Sequence, residues 1–150
     1  AALYPEAGLD VPPGDAAFAA YLNWLHMSDA TLTFPQTLVL RYTHFEPPQR
    51  QQPQVVEDYR RWFLARLRAV ESAVAHSDWL CAGRFTAADV AVGYALLLAS
   101  LLGLEAQFGP ATQAYWQRLQ QRPAYQRAAS WCAKASASRS IQGAKRLISK

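Results

Sequence analysis

Residues 85–104 read FTAADVAVGYALLLASLLGL, and the beginning of this stretch carries the most specific local signal in the chain. Thr86 can accept a hydrogen bond from the amide three residues later, and Asp89 can reach back to the amide of Thr86. Phe85 and Val90 occupy the two positions of a hydrophobic staple around this pair. The pattern predicts an α-helix that begins directly after Thr86, closed by a capping box whose two polar residues have a structural role.

The helix that follows is predicted to be the centre of the fold. Asp89 is its one charged residue, so we expect the helix to be buried on nearly all sides. Water cannot reach the free amides of a buried helix start, and loss of the cap should therefore cost about 1–2 kcal/mol. The apolar run from Val90 to Leu104, with Gly103 as its expected stop, is too short to cross a bilayer, so no membrane is expected as a partner.

Apolar residues at steps of three and four predict further helices on both sides of this one. Pro35 falls inside the first of them, and because proline removes a main-chain donor we expect a kink or break near Phe34. The expected helices span residues 15–34, 37–42, 54–76, 110–121 and 122–131. The sequence predicts an all-α fold, a bundle of five or six helices around a buried central helix.

The net charge of +4 is concentrated at the C-terminus. Residues 1–133 carry 10 Arg and 11 acidic residues, which gives −1, whereas residues 134–150 carry five basic residues and no acidic one. We therefore expect a helical domain over residues 15–133 without a basic face, a basic and flexible tail over 134–150, and no nucleic-acid partner. An alternative is that the tail binds nucleic acid or an anionic membrane, with an affinity that falls steeply with salt.

Most signatures of catalysis are missing from the sequence. There is no glycine-rich phosphate loop, no Gly-x-Ser-x-Gly elbow and no Cys-x-x-Cys pair, and the three histidines lack the spacing of metal ligands. Cys81 and Cys132 are expected to be inert buried thiols, too few for a disulfide framework, which favours a cytoplasmic location. Asp29 and Glu71 are interpreted as ordinary carboxylates on helix surfaces.

The segment Gly83–Ala91, GRFTAADVA, resembles the capping-box motif in the helical C-terminal domain of cytosolic glutathione S-transferases. Three more stretches resemble that family in the expected order. Leu3–Leu9 resembles the end of the thioredoxin domain and the interdomain linker, Tyr21–Leu32 with Pro35 resembles the long bent first helix of bacterial members, and Tyr115–Leu119 with Arg122–Tyr125 resembles the last helices. The resemblance covers about residues 1–131.

The resemblance implies that most of an N-terminal thioredoxin-like domain is missing and that residues 1–14 are the interdomain linker. In the family that domain binds glutathione, the co-substrate, and supplies the residue that activates its thiol. The family conjugates glutathione to hydrophobic electrophiles. We therefore expect this chain to hold no catalytic residue, no tightly bound cofactor and no metal, and to be inactive on its own.

By the same resemblance, the inner face of the first bent helix would line the pocket for a hydrophobic electrophile. The candidate substrate-binding residues are Trp24, Met27, Ser28 and Thr31. Thr31 falls where family members often carry a polar residue that reaches the glutathione of the neighbouring subunit, which implies a homodimer. The competing interpretation of these four residues is helix packing or a dimer contact. If no domain covers this face, Trp24 and Met27 would form an exposed apolar patch, so we expect that the chain self-associates or that residues 1–14 and the tail fold over the patch.

A second hypothesis is a non-catalytic module. Helical domains of this type also serve in binding or assembly, as in the gamma subunit of translation elongation factor one. A chain that dimerises but does not bind glutathione would favour this alternative over the transferase.

Overall fold

The computed structural model describes residues 3–134, and the regular structure in this range is helical, with no strand. The α-helices are α1 (Phe18–Met27), α2 (Phe34–Leu40), α3 (Pro53–Val74), α4 (Ala87–Leu101) and α5 (Pro110–Gln120), and residues 123–134 are helical as well. Contacts divide the chain into two compact units, Ala1–Trp116 and Gln117–Lys150. The all-α prediction is confirmed. Residues 135–150, nearly all of the predicted tail, lie outside the described residues.

The first predicted helix is continuous from Phe18 to Phe45, because wider π-helical turns join its α-helical parts. The first such turn is Ser28–Thr33, where the amide of Phe34 donates to the carbonyl of Asp29, five residues back instead of four. Pro35 follows at once and has no amide hydrogen. The expected interruption therefore occurs at the expected place, but as a widened turn and not as a break. We call residues 18–45 the long first helix.

The core of the first unit lies between α4 and the long first helix. α4 packs against α1 and against the turn Ser28–Thr33, while α2 packs against α3. The buried apolar side chains of α4 are Ala88, Val92, Ala95, Leu96 and Ala99, and those of α3 are Phe63, Leu67, Val70 and Val74. Steps of three and four between buried residues mean that each helix turns one face to the core.

The expectation that α4 is buried on nearly all sides is wrong. Val90 is 52% exposed, Tyr94 58% and Leu101 76%, and their spacing of four and seven places them on one face. Both faces of the helix are apolar, so the hydrophobic pattern does not separate the buried face from the exposed one. Within the described residues, no helix combines the length and the hydropathy needed to span a membrane.

The end of α4 follows the sequence closely. Gly103 has a left-handed backbone with φ of +74°, a conformation that costs glycine little. Its amide donates to the carbonyl of Ser100 at 3.0 Å, and the amide of Leu104 donates to the carbonyl of Ala99 at 2.9 Å. These two hydrogen bonds form a Schellman motif, which ends the helix where Gly103 is expected to stop it.

Candidate functional site

The start of α4 is closed by Thr86 and Asp89, which form a capping box in both directions. The amide of Thr86 donates to Asp89 Oδ2 at 2.8 Å, and Thr86 Oγ1 accepts from the amide of Ala88 at 3.3 Å. The carbonyl of Thr86 accepts from the amide of Asp89 at 3.1 Å. The second and third amides of the helix thus have partners within the box, and the first, of Ala87, donates to the carbonyl of Leu9 at 2.8 Å.

Asp89 is fully buried and its carboxylate accepts four hydrogen bonds. Oδ2 accepts from the amide of Thr86 and from its hydroxyl, the latter at 3.2 Å. Oδ1 accepts from the amide of Leu80 at 3.1 Å and from the hydroxyl of Tyr115 at 2.9 Å. All four partners are donors, as a buried carboxylate needs. Asp89 therefore joins the connector before α4 to the capping box and to α5.

The four predicted substrate-binding residues lie on successive turns of the long first helix. Trp24 is 8% exposed and Ser28 4%, so both side chains are buried, whereas Met27 and Thr31 are half-buried beside them. Trp24 is therefore covered in this structure, whereas Met27 keeps accessible surface. Residues spaced by three and four share one side of a helix, so the structure brings the four positions together along one edge.

The widened turn Ser28–Thr33 adds a polar feature to this edge. In an α-helix the carbonyl of Ala30 would accept from the amide of Phe34, but that amide donates to Asp29. The next residue, Pro35, has no amide hydrogen to offer. Ala30 therefore keeps a main-chain acceptor without its helical donor, next to the hydroxyl of Thr31. Widened turns of this kind occur often at functional sites.

Gln36, which the sequence analysis did not single out, anchors the widened turn. Its side chain is fully buried, and Nε2 donates to the carbonyls of Leu32 and Ala95, both at 3.0 Å. The first bond is to a residue of the widened turn and the second ties the helix to α4. The available signal was a polar residue four positions after Leu32, on the apolar face of the helix. Gln36 thus holds the long first helix at a fixed distance from the core helix.

Glu71 is not the ordinary surface carboxylate that the sequence suggests, because it closes the start of α5. Its Oε1 accepts from the amide of Ala111 at 3.0 Å and its Oε2 from the amide of Thr112 at 2.7 Å. Burial by itself raises the pKa of Glu71, but hydrogen bonding by Thr112 and Ala111 outweighs it, so this pKa lies below its usual value. A Cβ at Gly109 would lie 2.4 Å from Cδ of Glu71, so the close approach requires glycine.

An open groove of about 550 Å³ lies beside this cap. None of the four predicted substrate-binding residues lines it. Its walls come from α3 and from the chain that leads into α5: Arg61, Leu64, Ala65, Leu67, Arg68, Glu71, Gln107, Gly109 and Thr112. The groove therefore belongs to a different part of the first unit from the edge that carries Met27 and Thr31.

The remaining groups to consider are potential metal ligands and the two cysteines. Among residues 3–134, no group of histidine, cysteine and carboxylate side chains is arranged to hold a metal. Cys81 is buried with its Sγ 3.7 Å from Thr86 Oγ1, and burial raises the pKa of its thiol, which keeps it in the unreactive form. Cys132, expected to be buried, is exposed instead.

Comparison with known proteins identifies the fold of this chain. No family model matches the chain, and no curated protein sequence matches it. Among solved structures, the glutathione transferase Ure2p5 from Phanerochaete chrysosporium has a TM-score of 0.79 at 22% identity, covering 91% of this chain and 62% of its own. Glutathione S-transferase III in its apo form has a TM-score of 0.70 at 24% identity, covering 86% and 62%.

BphK, a bacterial glutathione S-transferase, has a TM-score of 0.71 at 20% identity, covering 85% of this chain. The chain spans about 60% of the length of the structures that it matches. Sequence identities this low support a shared architecture, but they do not show a shared activity. The chain has the fold of the helical C-terminal domain of glutathione transferases.

Proposed function

We propose that this chain is the helical, electrophile-binding and dimer-forming part of a glutathione transferase. The observation that carries the proposal is the widened turn of the long first helix. It leaves the carbonyl of Ala30 without its α-helical donor, next to Thr31 in the sequence, and Met27 and Thr31 are both half-buried. An apolar wall with a few fixed polar groups suits a hydrophobic ligand that has a polar attachment.

The proposed reaction forms a bond between the glutathione sulfur and an electrophilic carbon, while the leaving group departs with its electron pair and the thiol proton passes to solvent. This step needs a donor or a positive dipole aimed at the sulfur, which lowers the pKa of the thiol. We assign that role to no residue of this chain. In the proposal, a thioredoxin-like domain binds glutathione as co-substrate, and the residues named here supply the electrophile side of the pocket.

The solved neighbours support this choice of ligand. The structure of Ure2p5 was obtained with 1-(S-glutathionyl)-2,4-dinitrobenzene, and that of Ure2p8, from the same organism, with oxidised glutathione. We extend the first of these ligands to the present chain as a probe. It joins an aromatic electrophile to glutathione, so it reports on the aromatic side of the pocket even where the glutathione side is incomplete.

Isothermal titration calorimetry tests the proposal. We expect the conjugate to bind with a Kd on the order of 1 mM, since half of the site is present, and glutathione alone to bind roughly tenfold more weakly. Met27→Ala should weaken binding of the conjugate about fivefold through the loss of apolar contact. Thr37→Ala is the matched control for Thr31→Ala, because Thr37 is exposed on the same helix and bonds only to the carbonyl of Phe34, at 2.7 Å.

Two outcomes would contradict the transferase proposal. The first is that conjugate and glutathione bind equally weakly, and the second is that Met27→Ala and Thr31→Ala bind the conjugate as well as Thr37→Ala does. A chain that forms a stable dimer by size-exclusion chromatography with light scattering, yet binds neither ligand, would favour the assembly module instead. A homodimer in the cytoplasm that acts in detoxification remains part of the proposal.

A further inference from the structure

Residues 8–11, which we call the N-terminal strap, are held against the start of α4 by three consecutive carbonyls. The guanidinium of Arg84 donates through Nη1 to the carbonyl of Gly8 and through Nη2 to that of Asp10, the latter at 2.6 Å. Between them, the carbonyl of Leu9 accepts from the amide of Ala87 at 2.8 Å. The contact joins residues that lie more than 70 positions apart in the sequence.

The strap is anchored between two exposed stretches. Val11 is fully buried, whereas residues 3–8 and 12–16 are exposed. Residues that flank a mobile linker are normally exposed throughout, so a buried valine between exposed neighbours marks a docked segment. The strap therefore fixes the backbone at residue 8, after the exposed residues 3–7.

The strap also supplies one acceptor that the capping box of α4 does not provide. The capping box provides acceptors for the amides of Ala88 and Asp89, and the amide of Ala87, the first of the helix, depends on Leu9. A helix start that is buried without such an acceptor is costly. Ala82 and Gly83 have left-handed backbones, with φ of +55° and +62°. Arg84 follows them and lies two positions before Thr86 of the capping box. The clamp and the cap are therefore built by one short segment, residues 82–89.

The charge of the strap also acts on the long first helix. Tyr21 of this helix is buried, and burial together with the negative charge of Asp10 raises the pKa of its phenol. Tyr21 lies three positions before Trp24, on the same helix as Met27 and Thr31.

We propose that Arg84 is a positioning residue, which holds the N-terminal strap on α4 and so sets the direction in which the chain leaves the helical domain at residue 8. The consequence rests on the proposed function: a glutathione-binding domain joined ahead of the strap would take its orientation towards Met27 and Thr31 from this clamp. Arg84 contacts no reacting group in this arrangement. Its effect passes through the strap.

Amide hydrogen exchange on the present chain tests the clamp. In Arg84→Ala we expect the Ala87 amide to exchange at least about tenfold faster, while the amides of Phe63 and Leu67 in α3 change by less than about twofold. Arg84→Lys should fall between, because lysine keeps the charge but replaces the two-pronged donor with a single point. Arg68→Ala removes the same charge from an exposed position of α3. This substitution should leave the exchange rate of the Ala87 amide unchanged.

A protease provides a second readout that works on the wild-type chain. Asp-N endoproteinase cuts before aspartate, and a docked strap should resist cleavage between Leu9 and Asp10, whereas Arg84→Ala should be cut there about tenfold faster. If Arg84→Ala fails to fold, the rates of cleavage before Asp10 in the wild type and in Arg84→Lys still test whether the strap is docked. Fast cleavage before Asp10 in the wild type overturns the proposal.

Two results of the exchange experiment would also overturn the clamp. One is an unchanged Ala87 amide in Arg84→Ala. The other is equal acceleration at Ala87, Phe63 and Leu67, which would make Arg84 a contributor to global stability alone. These outcomes are independent of ligand binding, so failure of the clamp and failure of the transferase proposal are told apart by the calorimetric titration of the conjugate.

Discussion

The hydroxyl of Tyr115 in α5 donates a 2.9 Å hydrogen bond to Oδ1 of Asp89, the same carboxylate that closes the capping box of α4 26 positions earlier. Both residues are fully buried. A capping residue usually serves only its own helix. Here one carboxylate accepts hydrogen bonds from the start of α4, from the amide of Leu80 before it and from a tyrosine of α5. The capping box therefore also links α4 to α5.

Asp89→Ala should therefore destabilise the chain by more than the loss of a cap. The substitution leaves the buried amides of Leu80 and Thr86 and the hydroxyl of Tyr115 without their acceptor. We expect the free energy of unfolding in urea to fall by about 3–5 kcal/mol. Asp58→Ala, on the exposed face of α3, is the matched control and should change it by less than about 0.5 kcal/mol. Equal effects of the two substitutions would refute the network.

Tyr115→Phe tests the long-range bond by itself. It removes one hydroxyl, and the expected loss of unfolding free energy is about 1.5 kcal/mol, the low end of the range for a hydrogen bond to a charged group. In a double-mutant cycle with Asp89→Ala, which removes the acceptor, we expect a coupling energy of at least about 0.5 kcal/mol. Additive effects within error would mean that the two side chains act independently.

Gly109→Ala should displace the cap of α5. The added Cβ would lie 2.4 Å from Cδ of Glu71, a distance that forces the carboxylate away from the amides of Ala111 and Thr112. We expect a loss of about 1–3 kcal/mol in urea unfolding. In a Glu71→Ala background the clash disappears, so Gly109→Ala should then cost less than about 0.5 kcal/mol. An undiminished cost would place the strain elsewhere.

Acid unfolding should report the lowered pKa of Glu71. A carboxyl whose pKa is lower in the folded state than in the unfolded chain adds stability above the unfolded value of about 4.3, and this stability disappears as pH falls through the folded value. Glu71→Gln removes the titrating group. Its unfolding free energy should consequently vary less between pH 5 and pH 3 than that of the wild type. Parallel pH profiles for the two proteins would contradict the role of Glu71.

Local spacing predicts the parts of the structure that depend on neighbours in the sequence. Thr86 and Asp89 lie three apart, and Gly103 follows an apolar run, so the start and the end of α4 can be deduced before any coordinates exist. The acceptor role of Asp89 towards Tyr115 cannot be deduced in the same way. That contact depends on how α4 and α5 pack, and pairwise spacing carries no information on it.

The same limit explains the corrections. Glu71 and Gly109 are 38 positions apart, and a glutamate on an amphipathic helix gives no sign that it faces the amides of another helix. The two sides of α4 are both apolar, so their different exposure follows from the tertiary packing. Pro35 predicts a disturbed helix, but its position does not tell whether the helix breaks or widens, nor that Gln36 anchors the following turn to Ala95.

The candidate site is predictable only in part. Spacing places four candidate residues on one side of a helix: Trp24, Met27, Ser28 and Thr31. The resemblance to glutathione transferases predicts that this side binds the electrophilic substrate. It does not tell which of the four are already covered. Burial of Trp24 and Ser28 leaves Met27 and Thr31 as the two side chains of the set with accessible surface.

The most direct test of the proposed function is a map of the amides that respond to the conjugate. Titration of the ¹⁵N-labelled chain with 1-(S-glutathionyl)-2,4-dinitrobenzene should shift the amide signals of residues 27–31 first and most strongly. Glutathione alone should produce little change in these signals. Shifts confined to the groove beside Glu71, or no saturable shift at Met27 and Thr31, would contradict the account.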